Sequence, residues 1–167
     1  MNIEEKLTWY KKEFEIINSK IKTKKSLSHY DFLRIRNYKL QSLSNAEEQK
    51  VMDVTEAAFN LAEQDQIEKS VNKLTELNGV RIPIASAILA MRFPERYAII
   101  DGRVIGQLEK EGFITELEKE ELQDYSTNPK IYKKYLELMK KLANEKNIKL
   151  REFERGLFER SYEKNDC

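Results

Sequence analysis

The segment from Ile82 to Met91 constrains this chain more than any other, because it is apolar on nearly every side and punctuated by Gly79 before it and Pro83 within its first turn. A helix without a polar face has to be enclosed by other elements, so this one is expected at the centre of a helical assembly. Pro83 loses nothing in the first turn, where its missing N–H has no intrahelical partner. Gly79 is the residue best able to take a positive φ where the preceding helix must stop. Leu74 and Leu77 sit at helical spacing before it, and Ala85, Ser86, Ala87 and Ala90 are small enough for close helix approach. The pattern predicts helices over 67–77 and 83–92, joined by a hairpin at Asn78-Gly79-Val80-Arg81. An ordered loop follows, and Asp101 then opens a further helix.

The remaining periodicity is helical almost throughout. Ile3, Leu7, Tyr10, Phe14, Ile17 and Ile21 mark a long first helix, and KTKKSLS breaks it. A second helix is expected from about Tyr30 to Gln41, with Phe32, Leu33 and Ile35 facing the core. Ser44 and Glu47 read as a capping box for a third helix carrying Val51, Val54, Ala58 and Leu61, and Asp65 with Glu68 repeats that signal. Val104, Ile105 and Leu108 continue one face after Asp101, until Gly112 ends it. An acidic helix over Glu116 to Tyr125, a turn at Ser126-Thr127-Asn128-Pro129, a helix with Ile131, Tyr135, Met139 and Leu142, and a last helix from Leu150 with Phe153, Leu157 and Phe158 complete the reading. The expectation is one compact all-α domain over residues 1–167, without repeats or linkers.

Composition narrows the chemistry. Five Gly and three Pro in 167 residues argue against a turn-rich β architecture, and 40% hydrophobic with 35% charged residues suits a soluble helical domain. Cys167 is the only cysteine and His29 the only histidine, so a disulfide framework, an iron–sulfur cluster and a His-based zinc site are not expected. His29 itself reads as an exposed loop residue. No run is long and apolar enough for a membrane span, and MNIEEKLTWYKK lacks the order of a signal peptide. A monomeric, cytoplasmic protein without a membrane partner is the expectation. Net charge is only +1, but Lys20, Lys22, Lys24, Lys25, Arg34, Arg36 and Lys39 cluster against the single acid Asp31, while acids dominate from Glu109 to Asp124. Such asymmetry suits a nucleic-acid face and equally suits two solvated helix surfaces.

A glycine-bearing hairpin at a helix N-terminus exposes backbone N–H groups that suit a phosphate oxygen. Leu77, Gly79, Val80, Ala85 and Leu89, with Asp101, Arg103 and Val104 beyond, resemble the hairpin and aspartate motifs of the helix-hairpin-helix DNA glycosylase superfamily. The phrase FPERYAIIDGRV, the basic-aromatic Arg36, Tyr38 and Lys39, and the segment LREFERGLFE are similar to small bacterial proteins related to 8-oxoguanine glycosylases. The resemblance implies a helical glycosylase-like fold with its helix-hairpin-helix at 67–92. It also implies DNA as partner, and base-excision hydrolysis of the N-glycosidic bond of a flipped damaged or modified base.

On that resemblance Asp101 is the catalytic carboxylate, stabilising oxocarbenium character on the sugar and orienting a water. Asn78, Gly79, Val80, Arg81, Ile82 and Arg103 would hold phosphates. Tyr38, Lys39, Phe153 and Phe158 are candidates for a base pocket, as a flipped nucleotide requires one. No metal ligand set or cofactor is implied, apart from a candidate monovalent cation on backbone carbonyls of the hairpin. Arg81 stands where the family has a second glycine. Pro83 stands at the lyase lysine position, which favours hydrolysis without a lyase step. Each residue also has a plainer reading: Asp101 as an N-cap, Arg103 as an exposed helix arginine, and the aromatics as core. Two other functions stay open, a non-catalytic DNA-binding module and a helical protein–protein adaptor.

Overall fold

A computed structural model describes residues 1–39 and 46–163. The helices are α1 (Ile3–Ile21), α2 (His29–Tyr38), α3 (Glu48–Glu63), α4 (Ile67–Leu74), α5 (Ile82–Arg92), α6 (Gly102–Lys110), α7 (Glu116–Glu121), α8 (Pro129–Glu145) and α9 (Leu150–Arg160). A 3-10 turn spans Gln123–Ser126. The described residues contain no strand, and none of their helices is long and apolar enough to cross a membrane.

The apolar helix α5 is the centre of the molecule, with all its residues from Ile84 to Met91 buried. It packs on α1, α2 and α4, while α3 pairs with α4, and α8 with α4 and α9. Gly79 takes φ +73 at the hairpin and Gly112 takes φ +74 after α6, the two glycines the chain needs for helix ends. At Arg81 the backbone is extended, φ −109, so the missing second glycine imposes no strain there. Gly79 instead makes a close approach. Its carbonyl accepts from Arg36 Nη1 at 2.8 Å, and a Cβ at this position would sit 3.1 Å from that nitrogen.

Several boundaries differ from the sequence reading. Helix α4 ends at Leu74, and short i→i+3 bonds carry the chain on to Val80, so the 67–77 helix is shortened by a tightened last turn. Helix α2 ends at Tyr38; Gln41 and Ser44 lie outside the described residues. Glu47 is itself the N-cap of α3 and makes no side-chain cap bond. Asp65 does not cap α4 either: Gln66 holds that place, and Asp65, at φ 57, pairs with Arg96 at 2.7 Å. The acidic helix breaks at Leu122 into α7 and the 3-10 turn. His29 is the first residue of α2, with Nε2 buried and unpartnered among the described residues, rather than an exposed loop residue.

The segment between α5 and α6 is irregular and buried, so its backbone polar groups need partners. Side chains supply them. Tyr132 donates to the Ala98 carbonyl at 2.9 Å and Tyr135 to the Ile99 carbonyl at 2.8 Å. Ser86 accepts from the Ile100 N–H at 3.1 Å and donates to the Pro83 carbonyl at 2.8 Å. Residues of α5 and α8 thereby hold the chain still immediately before Asp101.

Candidate active site

Asp101 is the N-cap of α6, its Oδ1 accepting from the Arg103 N–H at 2.9 Å. Its other oxygen faces α2, where Lys39 Nζ lies 3.0 Å from Oδ2. The Lys39 side chain is 14% exposed and that of Asp101 26%, so the pair is largely withdrawn from solvent without being sealed. Capping and the Lys39 contact therefore use different oxygens of one carboxylate. Arg36 and Lys39 are three residues apart, one helical turn, and join α2 to both the hairpin and Asp101.

The carboxylate borders a cavity of about 310 Å³. One wall is aromatic. Tyr38 stacks on Trp9 at 6.1 Å, Tyr10 meets Tyr38 edge-on at 5.1 Å and Phe158 at 5.4 Å, and Phe158 meets Tyr162 at 5.4 Å. Lys6, Lys39, Arg103, Arg151 and Arg155 bring positive charge to the lining, against only Asp101 and Glu154. Glu154 is 4% exposed and pairs with Arg151, whose guanidinium carbon lies 3.7 Å from the Phe14 ring centroid. Burial lowers the tendency of Arg151 to stay protonated, but Glu154 and Tyr38 outweigh it and raise its pKa. Burial pushes the Tyr38 hydroxyl up to about 12 and also raises Tyr10, with Tyr162 and Asp101 adding to the latter shift. Both tyrosines are therefore neutral at physiological pH, and the Tyr38 hydroxyl accepts from Arg151.

Behind Asp101, Tyr125 lies close to Gly102: its hydroxyl is 3.3 Å from where a Gly102 Cβ would sit. Its pKa is raised by burial and then by the Asp101 charge.

Of the residues singled out from sequence, Tyr38, Lys39, Asp101, Arg103 and Phe158 meet in this cavity. Phe153 does not. It is 2% exposed, packs edge-on against Phe113 at 5.9 Å, and borders a different hollow, with Glu111, Lys146 and Arg160. Phe153 and Phe158 are five positions apart, about 140° around a helix, so one cavity cannot take both. The sequence reading missed Lys6, Tyr10, Arg151, Glu154, Arg155 and Tyr162. A spacing signal was present: 151, 154, 155, 158 and 162 form one stripe on α9 and its continuation, and Lys6 and Tyr10 are an i, i+4 pair on α1.

The hairpin residues Asn78, Gly79, Val80 and Arg81 border a separate surface hollow with Pro83, while Ile82 is buried. Apart from Arg36 at the Gly79 carbonyl, the basic run does not form one face with them. Arg34 chelates Glu13 at 2.5 and 3.0 Å, and Lys24 binds Asp31 at 2.5 Å. Arg92, at the far end of α5, donates to the Lys22 and Lys24 carbonyls, which sets the 22–25 segment roughly 15 Å along that helix from the hairpin. Among the described residues no cluster of His, Cys, Asp and Glu can hold a metal ion. No protein-family model, curated protein or solved structure matches this chain.

Proposed function

We propose that the cavity at Asp101 receives a nucleotide turned out of DNA and hydrolyses its N-glycosidic bond, as a monofunctional, helix-hairpin-helix glycosylase-like enzyme of base-excision repair. The observation that carries this reading is one carboxylate, partly exposed, fixed by a helix N-terminus and set in an aromatic-walled hollow with a cationic lining. Each part matches a need of the reaction. A flipped base needs a walled pocket of this size class, and its strand needs cations. The sugar, as it gains oxocarbenium character, needs a fixed negative charge. Asp101 supplies that charge and orients the attacking water; the bond from C1′ to the base nitrogen breaks, the water oxygen bonds to C1′ and gives up one proton to solvent, and the base leaves with the bonding electron pair and takes up one proton from solvent.

Lys39 holds the free oxygen of Asp101 in place before substrate enters. Asn78, Gly79, Val80, Arg81 and Ile82 offer the hairpin backbone to a phosphate. A monovalent cation there would compete with Arg36 for the Gly79 carbonyl. A purely DNA-binding module, or an adaptor, has no use for a carboxylate set in such a hollow, and that favours catalysis.

The test is a panel of duplexes carrying different damaged or modified bases. The protein is expected to leave abasic sites on at least one of them, cut only after alkali or heat, with no adduct trapped by borohydride. Trapping would overturn the monofunctional assignment, and Lys39, the amine beside Asp101, is where the adduct would then be sought. An intact panel, at enzyme in excess over DNA, would overturn the enzymatic reading.

A further inference from the structure

Two cations at the cavity, Arg103 and Lys6, have no carboxylate partner among the described residues, and both lie over the same ring. The Arg103 guanidinium carbon is 4.2 Å from the Tyr162 ring centroid, and Lys6 Nζ is 5.3 Å from it. Tyr162 follows α9; Phe158 meets it edge-to-face at 5.4 Å, and Tyr10 meets Phe158 edge-to-face at 5.4 Å in turn. Arg103 is exposed, and its backbone N–H is already committed to Asp101. Its guanidinium therefore rests on a tyrosine face rather than reaching out from the helix surface.

A cation that is itself exposed, as Arg103 is, is weakly held over a ring. A nucleobase stacks on such a ring with an advantage of about 5- to 150-fold, and a guanidinium finds a stronger partner in phosphate, through two parallel hydrogen bonds. We infer that Tyr162 is the stacking platform of a nucleotide site on which Arg103 is parked: an arriving base takes the ring face, and the displaced guanidinium closes on the phosphate of the same nucleotide beside Lys6. The inference rests on the reading of this cavity as a nucleotide pocket. It goes further by fixing the ligand as base plus phosphate and by making the two halves bind cooperatively. Inorganic phosphate alone meets a guanidinium that is still parked. A nucleoside alone must displace Arg103 and gives it nothing to bind. The chemistry is that of a nucleotide, free or within a strand.

Calorimetric titration of the whole chain tests it, with deoxyadenosine 5′-monophosphate, deoxyadenosine, inorganic phosphate and a short single-stranded oligonucleotide as probes. Tyr162→Leu keeps bulk and removes the π face. It is expected to weaken nucleotide and oligonucleotide binding about 5- to 150-fold, yet to bind inorganic phosphate at least as well as wild type, because Arg103 is no longer parked. Tyr162→Phe should behave as wild type. Arg103→Gln should erase the preference for the monophosphate over deoxyadenosine. Binding of the oligonucleotide but not of the monophosphate, with the same variant pattern, assigns the site to a strand. Parallel loss of phosphate and nucleotide binding in Tyr162→Leu would overturn the exchange, as would wild-type affinity for the monophosphate and the oligonucleotide in that variant. Base excision by a wild type whose Tyr162→Leu variant excises equally well would overturn this inference alone. A wild type that binds none of the nucleotide probes would overturn the pocket reading with it.

Discussion

Gly79→Ala probes the joint between the hairpin and the helix that carries Lys39. An alanine at φ +73 carries a backbone penalty of about 1–2 kcal/mol. A gain of roughly 0.4–1 kcal/mol from the stiffer unfolded chain offsets part of it. Its Cβ would also lie 3.1 Å from Arg36 Nη1, inside ordinary contact, so the guanidinium must give way, and its bond to the Gly79 carbonyl, now 2.8 Å, is expected to be lost. Losing a hydrogen bond to a charged group adds about 1.5–3 kcal/mol. Gly112 supplies the control, because it has φ +74 and nothing within 4 Å of an added Cβ. Gly112→Ala should therefore cost about 0–1.6 kcal/mol, and Gly79→Ala about 1.5–3 kcal/mol more. In urea unfolding the two midpoints should separate at unchanged slope, and in thermal scans by roughly 3–12 °C. Equal costs for the two substitutions would refute the idea that Arg36 ties the hairpin down.

The remaining predictions concern charge. If the cavity cations meet DNA phosphates, affinity should fall steeply with salt, and Lys6→Gln or Arg103→Gln should each flatten the salt slope by about one unit. Replacing Lys22 and Lys25, at the other end of α5, should leave that slope unchanged; a larger effect there than at Lys6 and Arg103 would move the DNA face. Asp31 is buried, which alone would raise its pKa, but Lys24 and the hydroxyl and N–H of Ser28 outweigh burial and hold it below its usual 3.8. A depressed folded pKa means stability that is present above the unfolded value and lost as pH falls through the folded one. Wild type should therefore lose more stability than Asp31→Asn on acidification below about pH 4, and parallel losses in the two would contradict the assignment.

Local signals were readable where one stretch of chain settles its own structure. The enclosed apolar run became α5, Gly79 and Gly112 took the positive φ expected of them, and Asp101 capped α6. Where capping was misjudged, longer-range contacts had won: Asp65 serves Arg96 from the loop after α5 instead of its own helix. The basic run was legible as charge and not as surface. Lys39 meets a carboxylate 62 residues on, and Arg36 a carbonyl 43 residues on, and neither separation leaves a trace in helical periodicity. The cavity wall was half visible. Phe158 was identified, but its neighbours on the α9 stripe, Glu154 and Arg151, are charged residues that a search for aromatics passes over. Tyr162 lies beyond the last helix, one turn after Phe158, and only the approach of α1 gives it Lys6 as a partner.

The central claim is that the Asp101 charge acts in chemistry beyond its place as a cap. Asp101→Asn keeps the side chain's size and an oxygen able to accept from the Arg103 N–H, while removing the negative charge that faces Lys39. The direct measurement is single-turnover base excision on the best substrate of the lesion panel, with unfolding and DNA binding followed in the same preparations. The account predicts a folded variant that binds the lesion duplex and excises at least about 100-fold more slowly, as expected when a main electrostatic element is removed. Excision at the wild-type rate by folded Asp101→Asn would contradict it.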